Sequence, residues 1–407
     1  MEKGYLIVHV YLNNKTNPVP GARVTITGEN YQQSFITNEY GKTDKITLDT
    51  PLEVYSLSPK YKQKPYASYE VKVEKPGYNV VTYKNVEVIA TETSLQDIIL
   101  KKEPGKSEVI QLPEHCLWAY DCDSKAIAPD PYLNESNNLR VLPRVIIPEF
   151  IRVKNGTPTS SAAVLVVPFI DYIKNVTSSE IFSTWHVEAI KANVHAIVSF
   201  TLNRVFTEWY PSRGHNFTIT AVPSHDQKFT PGRTIFQSIS DVVDSYFNQF
   251  IQLNNTTHPF FAQYSDGRVS VHPGRLSQWG SQEMAQKGRS AIEILRHYYT
   301  PNLSLQTAEE IVGLPTSFPG FKIGPNSCGE YVLLLQNRLN RIRTNFPAIP
   351  VISPADGRWN TSTQNSVRTF QQVFNMPVTG TVDIATWLRI TNLFVAVSGI
   401  AAGLRTS

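Results

Sequence analysis

Apolar and polar side chains alternate through the first hundred residues, and this pattern restricts the possible folds more than any other feature of the chain. The run YLIVHVYL alternates, and Val24 and Ile26 repeat the two-residue period after a Pro-Gly turn. Further alternating runs follow NEYGKT and KPGY. Short strands separated by Gly, Pro and Asn turns are typical of a β-sandwich, so we predict an all-β domain over residues 1–102. The N-terminal run predicts a first strand rather than a signal peptide.

The two-residue alternation of apolar and polar side chains stops over residues 103–149. This stretch combines several prolines with polar clusters, so we predict a linker or exposed segment that is open to proteolysis. Cys116 and Cys122 are close enough in sequence to pair. With Cys328 they are the only cysteines among 407 residues, too few for a disulfide framework.

Residues 150–312 mix both periods and predict an α+β domain. AAVLVVPFIDYI predicts a strand that runs into a short helix. The clearest helical period lies in WHVEAIKANVHAIVSFTLNRVFTEWY, where Glu188, Lys191, His195 and Ser199 form a polar stripe opposite an apolar face. SISDVVDSYFNQFI and SQEMAQKGRSAIEILRHYY predict one further helix each.

Residues 313–407 predict a small domain of three helices. Val332, Leu335, Leu339 and Ile342 repeat at helical spacing, and two further helical patterns follow. Trp387 is expected in the core, since tryptophan is usually largely buried. The chain is therefore predicted to be multidomain, with an all-β sandwich, a central α+β domain and a C-terminal three-helix domain.

Charge and composition argue against several classes of function. The formal net charge is +4, but Lys and Arg are scattered among acids, whereas a nucleic-acid binder usually carries a clustered basic stripe. The longest apolar run, LFVAVSGIAAGL, is too short to span a bilayer. His186 and His195 lie nine residues apart, which does not give the paired ligands that zinc needs on a helix. We therefore expect neither a metal nor a cofactor.

The C-terminal part carries a recognisable pattern. It consists of VLLLQNRLN, then DGRWNTSTQNSVRTFQ, then PVTGTVDIATW, in that order over about 70 residues. This pattern resembles the three-helix peptidoglycan-binding domain. The sandwich, with VPGARVTI and NEYGKT, resembles transthyretin-like or carboxypeptidase-regulatory-like domains.

The central part carries a second pattern. VPFIDYIKNVTSSEIFSTWHVEAIKAN, SHDQKF and LSQWGSQEMAQKG resemble the stage II sporulation protein D family of peptidoglycan lytic transglycosylases. In that family the catalytic acid is a glutamate that maps onto Glu180. The order of domains resembles that of clostridial germination-specific spore cortex-lytic enzymes. This resemblance implies a spore location, activation by a germination protease that cuts in or near residues 103–149, and a cortex glycan substrate that contains muramic-δ-lactam.

A transglycosylase needs one carboxylic acid, which serves first as acid and then as base, whereas most glycosidases that use water need two. Ile181, Phe182 and Trp185 would favour the neutral acid at Glu180 through poor solvation. A helix is expected to begin just after Glu180, capped by Ser183 or Thr184, and its dipole would favour the anion. The sequence does not rank these effects. Without the resemblance, the residues favour a solvated carboxylate before a helix for Glu180, since charged residues are mostly exposed.

Two aspartates are candidates for a second carboxylate. Asp226 in SHDQ and Asp266 in SDGR both also fit turn-forming roles, and a hydrolytic muramidase remains an option if either faces Glu180. The substrate-binding candidates are the following residues of the polar stripe and of two loops: Lys191, His195, Tyr264, Asp266, Arg268, Arg275, Ser277, Gln278 and Trp279.

The chain departs from the central family at three positions. Ser265 and His272 stand where relatives often have cysteines, and Ser199 stands where they tend to have arginine. A cation could instead come from Arg268 or Arg275. These departures keep open a wall-binding or spore structural protein without catalysis. A third alternative, an amidase, usually requires zinc.

Overall fold

The computed structural model describes residues 1–12, 15, 17–119, 142, 144–254, 256–268, 273–308, 311–312, 318–319 and 321–398. Its N-terminal part is the predicted sandwich, which packs two sheets around an aliphatic core. The strands are β1 (Glu2–Leu12), β2 (Asn17–Pro18), β3 (Arg23–Gly28), β4 (Tyr31–Ile36), β5 (Ile46–Thr50), β6 (Ala67–Glu74), β7 (Val80–Val88), β8 (Thr93–Leu100) and β9 (Ser107–Gln111), with a short helix α1 (Val54–Leu57).

One sheet pairs β8 in parallel with β1, which also pairs with β2 and β5. The other sheet has the order β4-β3-β6-β7-β9. The inward positions of the alternating runs are fully buried, as the two-residue period requires. They include Leu6, Val8, Val10, Val24, Ile26, Val71, Val73, Val86, Val88, Ile98 and Leu100.

The segment predicted as an irregular linker begins with regular structure. Strand β9 pairs in parallel with β7 and closes the edge of the second sheet, so the prediction was wrong for this stretch. A single helical turn, α2 (Cys116–Ala119), follows. Most of the remaining linker, including Cys122, lies outside the described residues.

The central domain is mixed α and β, as predicted. Its strands are β10 (Ile147–Pro148), β11 (Phe150–Lys154), β12 (Val164–Pro168), β13 (Ile219–Thr220), β14 (Ile235–Phe236), β15 (Gln249–Leu253), β16 (Tyr264–Ser265), β17 (Leu276–Ser277), β18 (Leu303–Thr307) and β19 (Ile311–Val312). Its helices are α3 (Phe169–Glu180), α4 (Val187–Phe206), α5 (Gln237–Tyr246), α6 (Gln278–Gln286) and α7 (Ala291–Tyr298), with a 3-10 turn at Pro211–Arg213.

Helix α4 forms the centre of this domain. Sixteen of its twenty residues are buried, because α3, α5, α6, α7 and β15 surround it. The polar stripe predicted for this helix therefore does not form a solvent-facing surface: His195 and Ser199 are buried with the apolar residues.

The stretch predicted as a single helix over residues 281–299 divides into α6 and α7. Gly288 adopts a left-handed backbone with φ of +83°, which ends α6. Ser290 and Glu293 then form a reciprocal capping box that starts α7. The single-helix prediction was wrong because the apolar period continues across this break.

The C-terminal domain contains helices α8 (Glu330–Ile342), α9 (Thr361–Val373) and α10 (Ile384–Ser398). Trp387 is fully buried, which confirms the expected core position. Two glutamines hold the turns between helices: Gln336 accepts the Gly357 N–H, and Gln371 accepts the Gly380 N–H, both at 2.9 Å. In this sequence pattern, each glutamine side chain therefore fixes the backbone of one glycine turn.

The three domains are packed together. Strand β14 of the central domain pairs antiparallel with β8 and extends the first sandwich sheet. Beside it, Arg233 donates to Glu87 at 2.8 Å, and both side chains are buried. The sandwich also contacts the C-terminal domain, where Lys42 donates to the Gln372 carbonyl and to Asn375.

Candidate active site

Glu180 is the last residue of α3, and its side chain is buried at 1% exposure. The expectation that it precedes a helix was wrong, because the next helix, α4, begins only at Val187 and is capped by the side chain of His186 rather than by Ser183 or Thr184. At the C-terminal end of a helix the dipole opposes a negative charge. Position and burial therefore both favour the neutral acid, which reverses one of the two effects expected from the sequence.

Backbone and side-chain donors hold the two oxygens of Glu180. The backbone N–H of Lys228 donates to Oε1 at 2.9 Å, and the Tyr264 hydroxyl lies 3.4 Å from the same oxygen. The Gln278 amide donates to Oε2 at 3.1 Å. These contacts orient the carboxyl group and balance the unfavourable burial of its anion, so that both protonation states can be held in one place.

An aromatic cluster lies beside this group. Phe182 packs against Trp185 and Trp279, with ring centroids 6.3 and 5.9 Å away, and the two tryptophans lie 5.0 Å apart. The cluster excludes water from the end of α3. Trp279 is itself buried, and Arg268, which is exposed, lines a small cavity with it and with Phe182.

The two candidate second carboxylates have other partners. Asp226 accepts from Arg204 Nε at 2.8 Å and from the Tyr210 hydroxyl at 2.7 Å, in a fully buried ion pair. Asp266 accepts the Arg268 N–H at 2.7 Å, the contact of a turn-forming aspartate. Asp266 thus makes the turn contact that the sequence suggested, whereas Asp226 forms a buried ion pair instead.

Tyr264 and Gln278 contact Glu180 directly. Trp279 and Arg268 lie beside Phe182, which follows Glu180 by two residues. Ser277 instead caps α6 by accepting the Gly280 N–H at 3.0 Å. Lys191 pairs with Glu188 at 2.7 Å and lies over the Tyr246 ring. Arg275 is buried. Contact of these residues with substrate stays a prediction, as it does for Asp266.

His195 and Ser199 serve the packing of α4. The His195 ring packs edge-on against Tyr246, and burial lowers its pKa to about 4, so the ring is neutral near neutral pH. Ser199 accepts the Ile251 N–H at 2.7 Å and joins α4 to β15. A substrate role for His195 also stays a prediction. Ser265 is buried, and His272 lies outside the described residues.

The segment after β9 covers Glu180. The His115 ring stacks on Phe182 with centroids 4.4 Å apart, and its Nε2 lies 3.2 Å from the Ile181 carbonyl oxygen. The sulfur of Cys116, which is disulfide-bonded, lies 3.8 Å from Glu180 Oε2. Leu117 and Trp118 line the same cavity as Arg268, together with Tyr55 and Tyr61 of the sandwich.

Sequence reasoning missed the Lys228 backbone amide and the residues of the cover, His115 and Cys116. SHDQKF was an available signal for the first, but a backbone donor has no side-chain signature. HCLWAYDC was available for the second, and nothing in its composition indicates which surface it contacts.

Neither a cluster of metal ligands nor a membrane-spanning helix lies in the part of the chain that the structure describes. It contains no group of three or more His, Cys, Asp or Glu side chains that could hold a metal ion. None of the helices there is long and apolar enough to cross a membrane.

Comparison with known proteins identifies one domain. Residues 328–390 match the family described as putative peptidoglycan binding domain, so the chain contains a domain for interaction with the cell wall. No curated protein matches the chain. A crystal structure of a type II cohesin–X-dockerin complex, a C-terminal interface mutant from Acetivibrio cellulolyticus, matches at 16% identity over 24% of this chain and 56% of that chain. Its TM-score of 0.17 carries no structural argument.

Proposed function

We propose that the central domain is a lytic transglycosylase that cleaves the β-1,4 bond between N-acetylmuramic acid and N-acetylglucosamine in spore cortex peptidoglycan during germination. The observation that carries the proposal is a single buried carboxyl group, Glu180, at a helix C-terminus, between amide and hydroxyl donors and an aromatic wall. The peptidoglycan-binding domain on the same chain supports the class of substrate. The resemblance of the central sequence to the stage II sporulation protein D family supports the reaction. The resemblance in domain order supports cortex glycan as the substrate.

In the proposed reaction Glu180 acts twice. Its acid form gives a proton to the glycosidic oxygen as the bond to C1 of the muramoyl sugar breaks, and the N-acetylglucosamine hydroxyl leaves. The C6 hydroxyl oxygen of the same muramoyl sugar bonds to C1, and its proton returns to Glu180. The product is a 1,6-anhydro sugar, no water is consumed, and the nucleophile is already held close by the sugar ring.

The residues that lie over Glu180, here called the cover, support the proposal that the chain is made as an inactive precursor. His115, Cys116 and Trp118 occupy the space beside Glu180, Phe182 and Arg268 that a glycan strand would need. They belong to the segment 103–149, in which we propose that a germination protease cuts. The sandwich contributes Tyr55 and Tyr61 to the same cover.

The test is digestion of purified cortex by the protein after proteolytic removal of the cover. Mass spectrometry should find anhydro-muramoyl ends with the unaltered protein and at least about a hundredfold fewer with Glu180→Gln, because the variant lacks the acid. Glu283→Gln, which alters an exposed carboxylate on α6, serves as the control that should retain the products. Equal release by Glu180→Gln would overturn the assignment.

A second candidate is a cell-wall-binding or structural protein without catalysis. The observations in its favour are the peptidoglycan-binding match at residues 328–390 and the departures from the central family at Ser199, Ser265 and His272. In that case the uncovered protein would bind purified cortex and release no soluble fragment of any kind.

A further inference from the structure

The loop that supplies the Lys228 amide is held unusually firmly. Before Lys228, Asp226 accepts from Arg204, from the Tyr210 hydroxyl and from the backbone and side chain of Thr220, four bonds between 2.7 and 2.9 Å. An acceptor with this many partners fixes both the position and the rotation of the residue. The network therefore ties the loop to α4 through Arg204 and to β13 through Thr220.

Gln227 forms a second anchor, and it is fully buried. Its carbonyl oxygen accepts from the Tyr172 hydroxyl of α3 at 3.0 Å and from the Thr201 hydroxyl of α4 at 2.8 Å. Its amide nitrogen donates to the Ile197 carbonyl at 3.2 Å. Gln227 therefore connects the loop to both helices that flank the site.

A third anchor follows Lys228. Asn175 of α3 donates to the Thr230 carbonyl at 2.7 Å and accepts the Thr230 N–H at 2.9 Å. This side chain lies on the same helix as Glu180. The distance between the carboxyl group and the loop is thus set by one rigid element, with anchors on both sides of the donated amide.

We propose that Asn175 and Gln227 are positioning residues that hold the Lys228 N–H against Oε1 of Glu180, and that this is the task of the SHDQKF loop. The inference rests on the proposed function, in which Glu180 must hold one geometry while it loses and regains a proton. A backbone N–H can only donate, so Oε1 accepts this bond whether or not the carboxyl group is protonated. Loss of either anchor releases the amide and leaves the acid misaligned.

The first readout is amide hydrogen exchange, measured by NMR on the intact chain. Asn175→Ala and Gln227→Met should each raise the exchange rate of Lys228 by about tenfold to a hundredfold, because a hydrogen bond to a carboxylate is lost. Glu180→Ala should raise the same rate with the loop intact. The Gly357 amide, bonded to Gln336 in the C-terminal domain, should be unchanged in all three variants.

The second readout is steady-state kinetics of the uncovered protein on solubilised cortex strands. Both anchor variants should lower kcat about tenfold to a hundredfold with little change in KM, since a small misplacement of a catalytic group acts on the chemical step. Asn203→Ala is the matched control: it removes a buried asparagine of α4 that donates to the Pro259 carbonyl at 2.9 Å and leaves the loop anchored.

The outcomes separate the two proposals. If the unaltered protein makes no anhydro products, the proposed function fails and the exchange experiment still decides on the anchors. If Lys228 exchange in folded Asn175→Ala and Gln227→Met equals that of the unaltered protein, the positioning role is overturned. A kcat loss in Asn203→Ala as large as in the anchor variants would equally count against it, since general destabilisation would then explain the effect.

Discussion

At the scale of single residues, the behaviour of Glu180 depends on which end of a helix it occupies. The sequence placed an ionisable group next to Ile181 and Phe182, and this apolar surrounding is present. The helix boundary was misplaced, because the apolar and small residues before Glu180 do not show where α3 ends. Side-chain identity could be predicted from motif and chemistry, whereas the Lys228 amide could not, because only tertiary packing brings it to the carboxyl group.

The buried pair of Arg204 and Asp226 gives a prediction for stability. Asp226→Leu should destabilise the central domain by about 3–5 kcal/mol, because it leaves a buried guanidinium without its partner. The combined variant Arg204→Met with Asp226→Leu should recover only part of that loss, because Tyr210 and Thr220 also lose their acceptor. Lys3→Gln, which breaks an exposed pair with Asp49, should cost at most about 1 kcal/mol.

These changes are measured by urea denaturation at fixed pH. A single variant at Asp226 that unfolds at the same urea concentration as the unaltered protein would contradict the buried pair.

His195 gives a prediction for pH. Its pKa is lowered to about 4 by burial, against about 6.5 in an unfolded chain, so the unfolded state binds more protons between these values. The stabilising contribution is present above pH 6.5 and is lost as the pH falls toward 4. The urea midpoint should therefore fall less between pH 7.5 and 5 in His195→Gln than in the unaltered protein. An equal fall in both would show that His195 is solvated.

At the scale of elements, the period of the sequence predicted which segments become strands or helices better than where they stop. The long α4 and the three C-terminal helices were found, because their apolar repeats are regular. The break between α6 and α7 depends on the backbone of Gly288 and on a capping box, which the apolar repeat does not record. Strand β9 was missed because it is short and mostly exposed, and β14 because its partner lies in another domain.

The contact between the sandwich and α5 predicts a pH-dependent interface. Glu92 accepts from the Ser238 hydroxyl at 2.8 Å, and burial, together with the negative charges of Glu53 and Asp241, raises its pKa to about 7. After separation its pKa returns to about 4.3, so the docked state binds more protons between these values. The affinity of the sandwich for the central domain should fall as the pH rises from about 4.3 to 7.

This prediction is checked by sedimentation of protein cut within residues 120–141, where both parts remain in solution. Glu92→Gln should weaken the dependence of docking on pH, and it is the matched control because it retains the acceptor oxygen. If the unaltered and variant complexes show the same dependence on pH, the ionisation of Glu92 is not the cause of the pH dependence of docking.

At the scale of the whole molecule, the order of domains explains the covered site. Strand β9 extends the sandwich sheet, and the next residues, His115 and Cys116, reach the end of α3 in the central domain. The sequence resemblance implied a cleavable segment but not its contacts, because cover and cleft are about 65 residues apart in the chain. A multidomain chain with a C-terminal helical domain was predictable, whereas the surfaces that the domains share were not.

The cover predicts a large difference in activity between the intact and the cut protein. A site-specific protease sequence placed within residues 120–141 should allow removal of the N-terminal part. Fragment release from cortex should then rise about a hundredfold. This factor corresponds to a free energy of ~2.7 kcal/mol with which the cover blocks the site. The same protease sequence placed within residues 399–407 is the control and should leave activity unchanged. An intact protein as active as the uncovered form would contradict the precursor role.

The central claim is that one carboxyl group cleaves the glycan without water, and digestion of cortex in water labelled with oxygen-18 tests it most directly. We expect fragments without the label, each lighter by one water than a hydrolysis product, because the muramoyl C6 oxygen closes onto C1. Fragments that carry one labelled oxygen at a new reducing end would contradict it, since water would then be the nucleophile.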